Sequence, residues 1–445
     1  MHVTFLMNAT EVGRASILLQ EAKTKLVLDS GILPGAKPEQ ERIPKDPGPI
    51  QALILSHAHL DHSGYVPALL KKYKSKFIAT PATQDLSEIL WHDSLKIARQ
   101  DDHLEPLFDT KDIQRVRKFA IDGRYRVYMP IKGQNLGVQL FSAGHILGSS
   151  MIRIKSKNSS LLYTGDINTR HTRTLDTADE QLPPIKTLII ESTYGGPKDK
   201  HSSLKKVEQD FISAIRDTLL NNGKVIIAAY AVGRAQEAML VLEAYMRSGA
   251  IPTVPIWIDG MISSVNERYK LYWEWLRPEI QREIRYTQRS PLDAPIFHPV
   301  NNGKTRKTLI KDKKPWIVVT TSGMLQGGPV IRYLKAFGKD DKNLICLTGY
   351  QAPETRGRAL INGSRTLTLD DEPYNIGAQV KQFEFSAHAD QPGLLRFVSH
   401  LKGLKKVFVI HGENSKPKLL AKRIESLIDG VEAFVPDPGE GGIAV

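Results

Sequence analysis

The sequence predicts an α/β protein built from two or three structural units, and three observations carry that expectation. At 445 residues the chain exceeds what a single core ordinarily fills. Its first 195 residues are dominated by short apolar runs separated by Gly, Pro and Asp, a strand-rich layered pattern with some helices outside it. From Ser203 onward helices alternate with strands in the manner of an open α/β sheet, and after about residue 378 the first style resumes.

Residues 1–6 read as a strand, as do the apolar runs at 17–19, 26–28, 52–55, 138–141, 161–163 and 188–190. Tyr65, Leu69 and Leu70 begin a helical pattern, and the Pro-rich stretch 32–50 is expected to be a loop inside one unit. Leu204, Val207, Phe211, Ile215 and Leu219 make an apolar stripe at helical spacing, closed by Asn221-Asn222-Gly223. A strand at 225–229, a helix from Arg234 to about Met246 and a strand at 254–258 follow, and Ile317–Thr320 and Leu344–Leu347 continue the style. Residues 407–410 form a strand that delivers His411, and Leu419, Leu420, Ile424 and Leu427 are helical. No G-x-G-x-x-G follows a strand, so a nucleotide cofactor is not expected.

The net charge is +13, from 61 basic and 48 acidic residues. That excess favours polyanionic partners, nucleic acid first and an anionic membrane surface second. The densest basic run, Lys304, Arg306, Lys307, Lys311, Lys313 and Lys314, is expected to be a solvated loop. The one cysteine, Cys346, lies in the apolar run Leu344–Leu347, where a buried inert thiol is expected; a disulfide framework is excluded, which fits a reducing, cytoplasmic location. There is no basic n-region followed by an apolar stretch, and no run approaches membrane-spanning length.

The densest chemistry lies in Ser56-His57-Ala58-His59-Leu60-Asp61-His62-Ser63, which packs four potential metal ligands into six residues. An extended chain sends residues i and i+2 to one side, so His57 and His59 are expected to converge on one ion with Asp61 continuing the alternation. His62 falls where the helical pattern starts, so Asp61 and His62 face a neighbouring ion. Imidazole nitrogen mixed with carboxylate oxygen suits zinc, with manganese or iron as tolerable substitutes. Two ions need further ligands, and three residues placed after apolar runs qualify: His145 between glycines, Asp166 in Thr164-Gly165-Asp166, and His411 before Gly412. Taken singly, a lone His or turn Asp is more often structural.

The ordered set His57-x-His59-x-Asp61-His62, His145 and Asp166, following Leu28-Asp29, resembles the metallo-β-lactamase superfamily. Its continuation narrows the resemblance. Glu191-Ser192-Thr193-Tyr194-Gly195, Phe385-Ser386-Ala387-His388-Ala389-Asp390 and Val409-Ile410-His411-Gly412-Glu413 resemble motifs A, B and C of the β-CASP nucleases, especially the endonuclease subunit of the cleavage and polyadenylation factor and its archaeal relatives in the form without KH domains. The resemblance implies an αββα sandwich in two parts, residues 1–195 and 379–445, with an α/β β-CASP domain inserted at 196–378. It implies two Zn2+ per chain: one held by His57, His59 and His145, the other by Asp61, His62 and His411, with Asp166 bridging and Asp29 orienting a ligand.

It further implies a ribonuclease of single-stranded RNA in RNA 3′-end processing or decay, leaving 5′-phosphate and 3′-hydroxyl ends. Asp61, Glu191 and His388 are the expected catalytic residues, with His388 contacting the scissile phosphate or protonating the leaving 3′ oxygen and Glu191 orienting it. Ser322, Gly323 and Gln351 are expected donors to substrate phosphates. His411 at motif C tilts the substrate toward RNA, and the short distance from His411 to Val445 favours endonuclease over 5′→3′ exonuclease. A non-catalytic RNA-binding scaffold is the competing expectation, opposed by the seven filled ligand positions. A homodimer and RNA-processing proteins are the expected partners, and no membrane.

Overall fold

The computed structural model describes residues 1–33, 42–100, 104–131, 135–437 and 442–445. Of the expected loop at 32–50, residues 34–41 lie outside that description, and 42–50 form no helix or strand. The chain divides into two compact units, one of Met1–His171, Asp176–Lys200 and Ala387–Val445, the other of Thr172–Leu175 and His201–Ser386.

The first unit is built on two seven-stranded sheets. In one, the strands run in the order Ile443–Ala444, His2–Phe5, Ile17–Glu21, Thr24–Leu28, Ala52–Ile54, Lys76–Ala79, Ala120–Asp122. In the other the order is Glu432–Phe434, Lys406–Ile410, Thr187–Glu191, Ser160–Tyr163, Ser150–Lys155, Gly137–Ser142, Tyr128–Pro130. Thr187–Glu191 is buried at all five positions, and it pairs in parallel on both sides, with Ser160–Tyr163 and Lys406–Ile410. Its unbroken apolar run is what a strand covered on both faces needs.

The inner faces of the sheets form one core. Phe5, Leu19, Leu28 and Ile54 meet Val138, Ile152, Leu161, Ile189 and Phe408, with the Phe5 and Phe408 rings 5.3 Å apart. Helices Val66–Tyr73, Pro81–Gln100 and Thr110–Phe119 pack Leu69, Trp91 and Ile113 onto the outside of the first sheet. Gln391–His400 and Lys416–Leu427 pack Phe397, Leu420 and Ile424 onto the outside of the second. The result is an αββα sandwich.

The second unit carries a six-stranded parallel sheet in the order Phe297–Pro299, Ile256–Asp259, Ile317–Thr320, Val225–Ala228, Leu344–Leu347, Gln379–Gln382. The strand expected at 254–258 starts only at Ile256, because Pro255 ahead of it donates no hydrogen bond. Gln379–Gln382 pairs with Leu344–Leu347, so this unit extends past the expected boundary at 378. The excursion Thr172–Leu175 is a further difference: Glu237 accepts hydrogen bonds from Arg173 N (2.7 Å) and Thr174 N (2.9 Å), and Arg173 pairs with Glu208 at 2.6 Å. The basic run at 304–314 is a loop only beyond Lys311. Residues Gly303–Lys311 are a helix, capped by Asn302, whose side chain accepts from Thr305 N.

Candidate functional site

The predicted ligands lie at one edge of the sandwich, on the segments that follow strand ends. His57 follows Ala52–Ile54, His145 follows Gly137–Ser142, Asp166 follows Ser160–Tyr163, and His411 follows Lys406–Ile410. Several of these turns need left-handed backbone. Gly165 has φ +53°, and a Cβ there would sit 2.7 Å from Ser56 Cβ, so only glycine fits. His411 itself adopts φ 55° and Asp29 φ 56°, conformations that non-glycine residues rarely hold and that concentrate at functional sites.

The local path differs from the expected alternation. The strand ends at Ile54, and Asp61 and His62 share a one-turn helix, Leu60–Ser63, that starts after His59. His57 and His59 still converge, but with their rings edge to face at 5.0 Å instead of side by side on a strand.

Two ligand sets result. His57, His59, His145 and Asp166 bring one donor atom each to within 4.8 Å of one another, and so do His62, Asp166 and His411. Asp166 is common to both: its Oδ2 lies 3.5 Å from His57 Nε2 and 3.6 Å from His145 Nε2, and its Oδ1 3.3 Å from His62 Nε2 and 3.3 Å from His411 Nδ1. Asp61 groups with His57 and His62, and its Oδ2 is 3.6 Å from His411 Nε2.

These separations exceed good hydrogen bonds. Nε2 of His57, His62 and His411 and Oδ1 of Asp166 are buried without a hydrogen-bond partner among the described residues. Buried polar atoms are ordinarily satisfied, and four orphans aimed at a common space fit the donor set of a metal centre. The electrostatics agree for His57 and His145, whereas at His62 burial is outweighed by the Asp166 and Asp29 carboxylates, which raise the imidazole well above its ordinary pKa. Burial drives the His57 and His145 imidazoles well below their ordinary pKa, keeping lone pairs available. Burial opposes the charge on Asp166, yet the neighbouring His62 and His411 hold its pKa well below the usual carboxylate range. Asp61 is lowered in the same way, against burial, by His411 and His62.

The surroundings orient the ligands. Asp29 accepts from Ser56 N (2.6 Å), Ser56 Oγ (2.6 Å) and Tyr163 OH (2.8 Å) and lies 2.7 Å from His62 Nδ1. His145 Nδ1 donates to Ala387 O at 2.8 Å. Ser56, Tyr163 and the Ala387 carbonyl were not legible as site residues; Ser56 alone had a signal, its place directly before His57.

His388 and Glu191 form a pair beside this cluster. His388 Nδ1 lies 3.0 Å from both carboxylate oxygens of Glu191, and the His388 ring stands 4.6 Å from that of His145. Glu191 also accepts from Ile167 N at 2.8 Å, which ties it to the residue after Asp166.

Ser322, Gly323 and Gln351 lie in the second unit, on loops that follow Ile317–Thr320 and Leu344–Leu347. Gln351 is buried and its amide donates to Gly323 O (3.0 Å) and Gly349 O (3.2 Å), so it ties the two loops together instead of offering its N–H groups to a phosphate. Ser322 is half-buried, its Oγ accepting from Gln326 N at 3.0 Å. A Cβ on Gly323 would fall 2.9 Å from Tyr230 N, so close backbone approach explains that glycine.

Comparison with known proteins agrees with this geometry. The model for the metallo-β-lactamase superfamily matches residues 9–217, that for the Beta-Casp domain residues 235–360, and that for the Zn-dependent metallo-hydrolase RNA specificity domain residues 373–436. An RNase J-like protein of Methanocaldococcus jannaschii is 37% identical over 96% of this chain and 96% of its own. Transcription termination factor FttA of Methanothermobacter thermautotrophicus is 35% identical over 93% of this chain and 67% of its own, and that of Thermococcus kodakarensis 35% identical over 94% and 67%. A solved protein of unknown function from Enterococcus faecalis shares the fold, with a TM-score of 0.60 over 99% of both chains at 16% identity. Among the described residues no helix is long and apolar enough to cross a membrane. With near end-to-end similarity to archaeal relatives and all three domain models in chain order, the chain belongs to the β-CASP family of the metallo-β-lactamase superfamily.

Proposed function

We propose that the chain is a metal-dependent ribonuclease that hydrolyses phosphodiester bonds of single-stranded RNA by internal cleavage, leaving 5′-phosphate and 3′-hydroxyl ends. The observation that carries this reading is the position of the His388–Glu191 pair against a seven-residue ligand cluster. The names of the relatives, an RNase J-like protein and a termination factor, support RNA as the polymer, as does the excess of basic residues.

In this reading one zinc ion would be held by His57, His59, His145 and Asp166, and a second by Asp61, His62, His411 and Asp166. When bound, such a pair of ions lowers the pKa of a water nucleophile and offsets charge on the phosphoryl oxygens. The residues of the chain do the rest. Glu191 engages Nδ1 of His388 and orients the ring, and Nε2 is the atom that would carry a proton to the leaving 3′ oxygen. Burial and Ile167 N hold the Glu191 carboxylate in place for that task.

The test is product analysis on a single-stranded RNA bearing separate labels at its two ends. Internal fragments with 5′-phosphate termini are expected. Release of mononucleotides from the 5′ end would assign exonuclease activity instead, and no cleavage in the presence of zinc would leave a binding scaffold.

A further inference from the structure

The basic run at 304–314 is presented by a rigid element. Asn302 caps helix Gly303–Lys311, and Leu309 is buried in the core of the second unit. Arg306 is spent inward: its Nε and Nη2 contact the buried Asp259 carboxylate at 2.6 and 2.7 Å, and Tyr333 OH donates to the same carboxylate at 2.7 Å. At the far end Lys224 Nζ donates to Lys313 O at 3.3 Å. The helix is thereby pinned at both ends and in its middle.

Lys304, Lys307 and Lys311 stand at i, i+3 and i+7, which places them on one helix face, opposite the face that carries Arg306 and Leu309. That row covers about 10 Å along the axis. Lys313 and Lys314 prolong it into the loop before Ile317–Thr320. All five are exposed. No ion pair involves any of them among the described residues, whereas Lys71, Lys72, Lys206, Lys270, Lys335 and Lys416 each hold a carboxylate. The helix contains no acidic residue, and Asp312, the one carboxylate in the run, accepts a backbone bond from Lys314 N.

The direction of the stripe matters. Helix Gly303–Lys311 connects Phe297–Pro299 to Ile317–Thr320, strands that run parallel within the same sheet. Such a crossover returns the chain from the carboxyl edge of the sheet to its amino edge. Lys304 therefore stands toward the edge that carries Ser322, Gly323 and Gln351, and Lys314 at the opposite edge.

We infer that Lys304, Lys307, Lys311, Lys313 and Lys314 form an accessory binding stripe for the phosphate backbone of single-stranded RNA, which it holds along the outside of the second unit. A row of unpartnered ammonium groups on a fixed scaffold recognises consecutive phosphates without reading bases. Affinity should therefore depend on RNA length and salt and be indifferent to sequence. The inference rests on RNA being the substrate.

The test substitutes all five lysines by glutamine in the full chain and compares it with wild type. RNA of graded length is used, with binding read by fluorescence anisotropy over a series of salt concentrations on metal-loaded His388→Ala backgrounds. Removing one lysine–phosphate pairing lowers the slope of log K against log salt by about 0.7 for a single strand. Removal of three or more pairings is expected, seen as a slope smaller by about 2 and at least tenfold weaker binding of long RNA. Cleavage of a short oligonucleotide by the variant with His388 intact should match wild type, which also shows that the variant is folded. An unchanged slope and affinity for long RNA would overturn the stripe, and binding of anionic vesicles or an acidic protein in place of RNA would do the same. If wild type cleaves no RNA of any length, the ribonuclease reading fails first, and the two failures are thereby distinguished.

Discussion

Oδ2 of Asp29 lies 2.7 Å from Nδ1 of His62, and both side chains are buried. The contact fixes the His62 ring so that Nε2 turns toward Asp166, 3.3 Å from its Oδ1. Carboxylates behind metal-binding histidines typically account for about 10- to 100-fold in metal affinity. Asp29→Ala should therefore weaken zinc binding by about that factor, read by competition with a chelator. It should also lower the stability of the metal-free protein by about 1–3 kcal/mol, because Ser56 and Tyr163 lose their acceptor. Unaltered zinc affinity in a folded Asp29→Ala protein would assign Asp29 a purely structural task.

Glu191 and His388 should behave as one unit. His388→Ala is expected to lower kcat about 10²- to 10⁴-fold with zinc content unchanged, since general acid catalysis is typically worth that much. Glu191→Gln should cause part of the same loss, and the double variant should be no slower than His388→Ala alone. Multiplicative losses in the double variant would show that the two act separately.

Cys346, in the second unit, offers a pH signature of its own. It is fully buried in Leu344–Leu347, and burial pushes its thiol well above the ordinary value of 9.0. The folded protein thus keeps the proton where an unfolded chain would release it. Stability is therefore intact below about pH 9 and declines above it, by at most about 1.4 kcal/mol per pH unit. Urea unfolding at pH 8 and pH 10 should show a larger drop for wild type than for Cys346→Ala. Thiol reagents at pH 8 should modify Cys346 only after denaturation.

Much of the first unit was legible because its strands are short apolar runs with punctuation. The runs at 188–190 and 407–410 correspond to Thr187–Glu191 and Lys406–Ile410, two neighbours in the same sheet. The stripe from Leu204 to Leu219 became helix Leu204–Leu220, where periodicity and the Asn-Asn-Gly stop agree. The segment from His57 to His62 was visible as a ligand cluster, but its path was not. Alternation extrapolated from the strand was carried through Asp61, whereas the helix expected to start at His62 already starts at Leu60. The partnership of Glu191 with His388 spans 197 residues, and Gln351 turned inward onto backbone carbonyls. Neither contact can be read from spacing. The lysine run looked like a solvated loop because its inward-facing positions, Arg306 against Asp259 and the buried Leu309, are too few to make an apolar stripe.

The central claim is that the convergent ligands and the His388–Glu191 pair make one phosphodiesterase centre. The most direct measurement is zinc-supported cleavage of end-labelled single-stranded RNA by wild type, Asp166→Asn and His388→Ala at matched protein concentration. Wild type should produce internal fragments. Asp166→Asn should lose zinc and activity together, and His388→Ala should retain zinc but fall by at least about 100-fold in rate. Full activity in either variant would contradict the account.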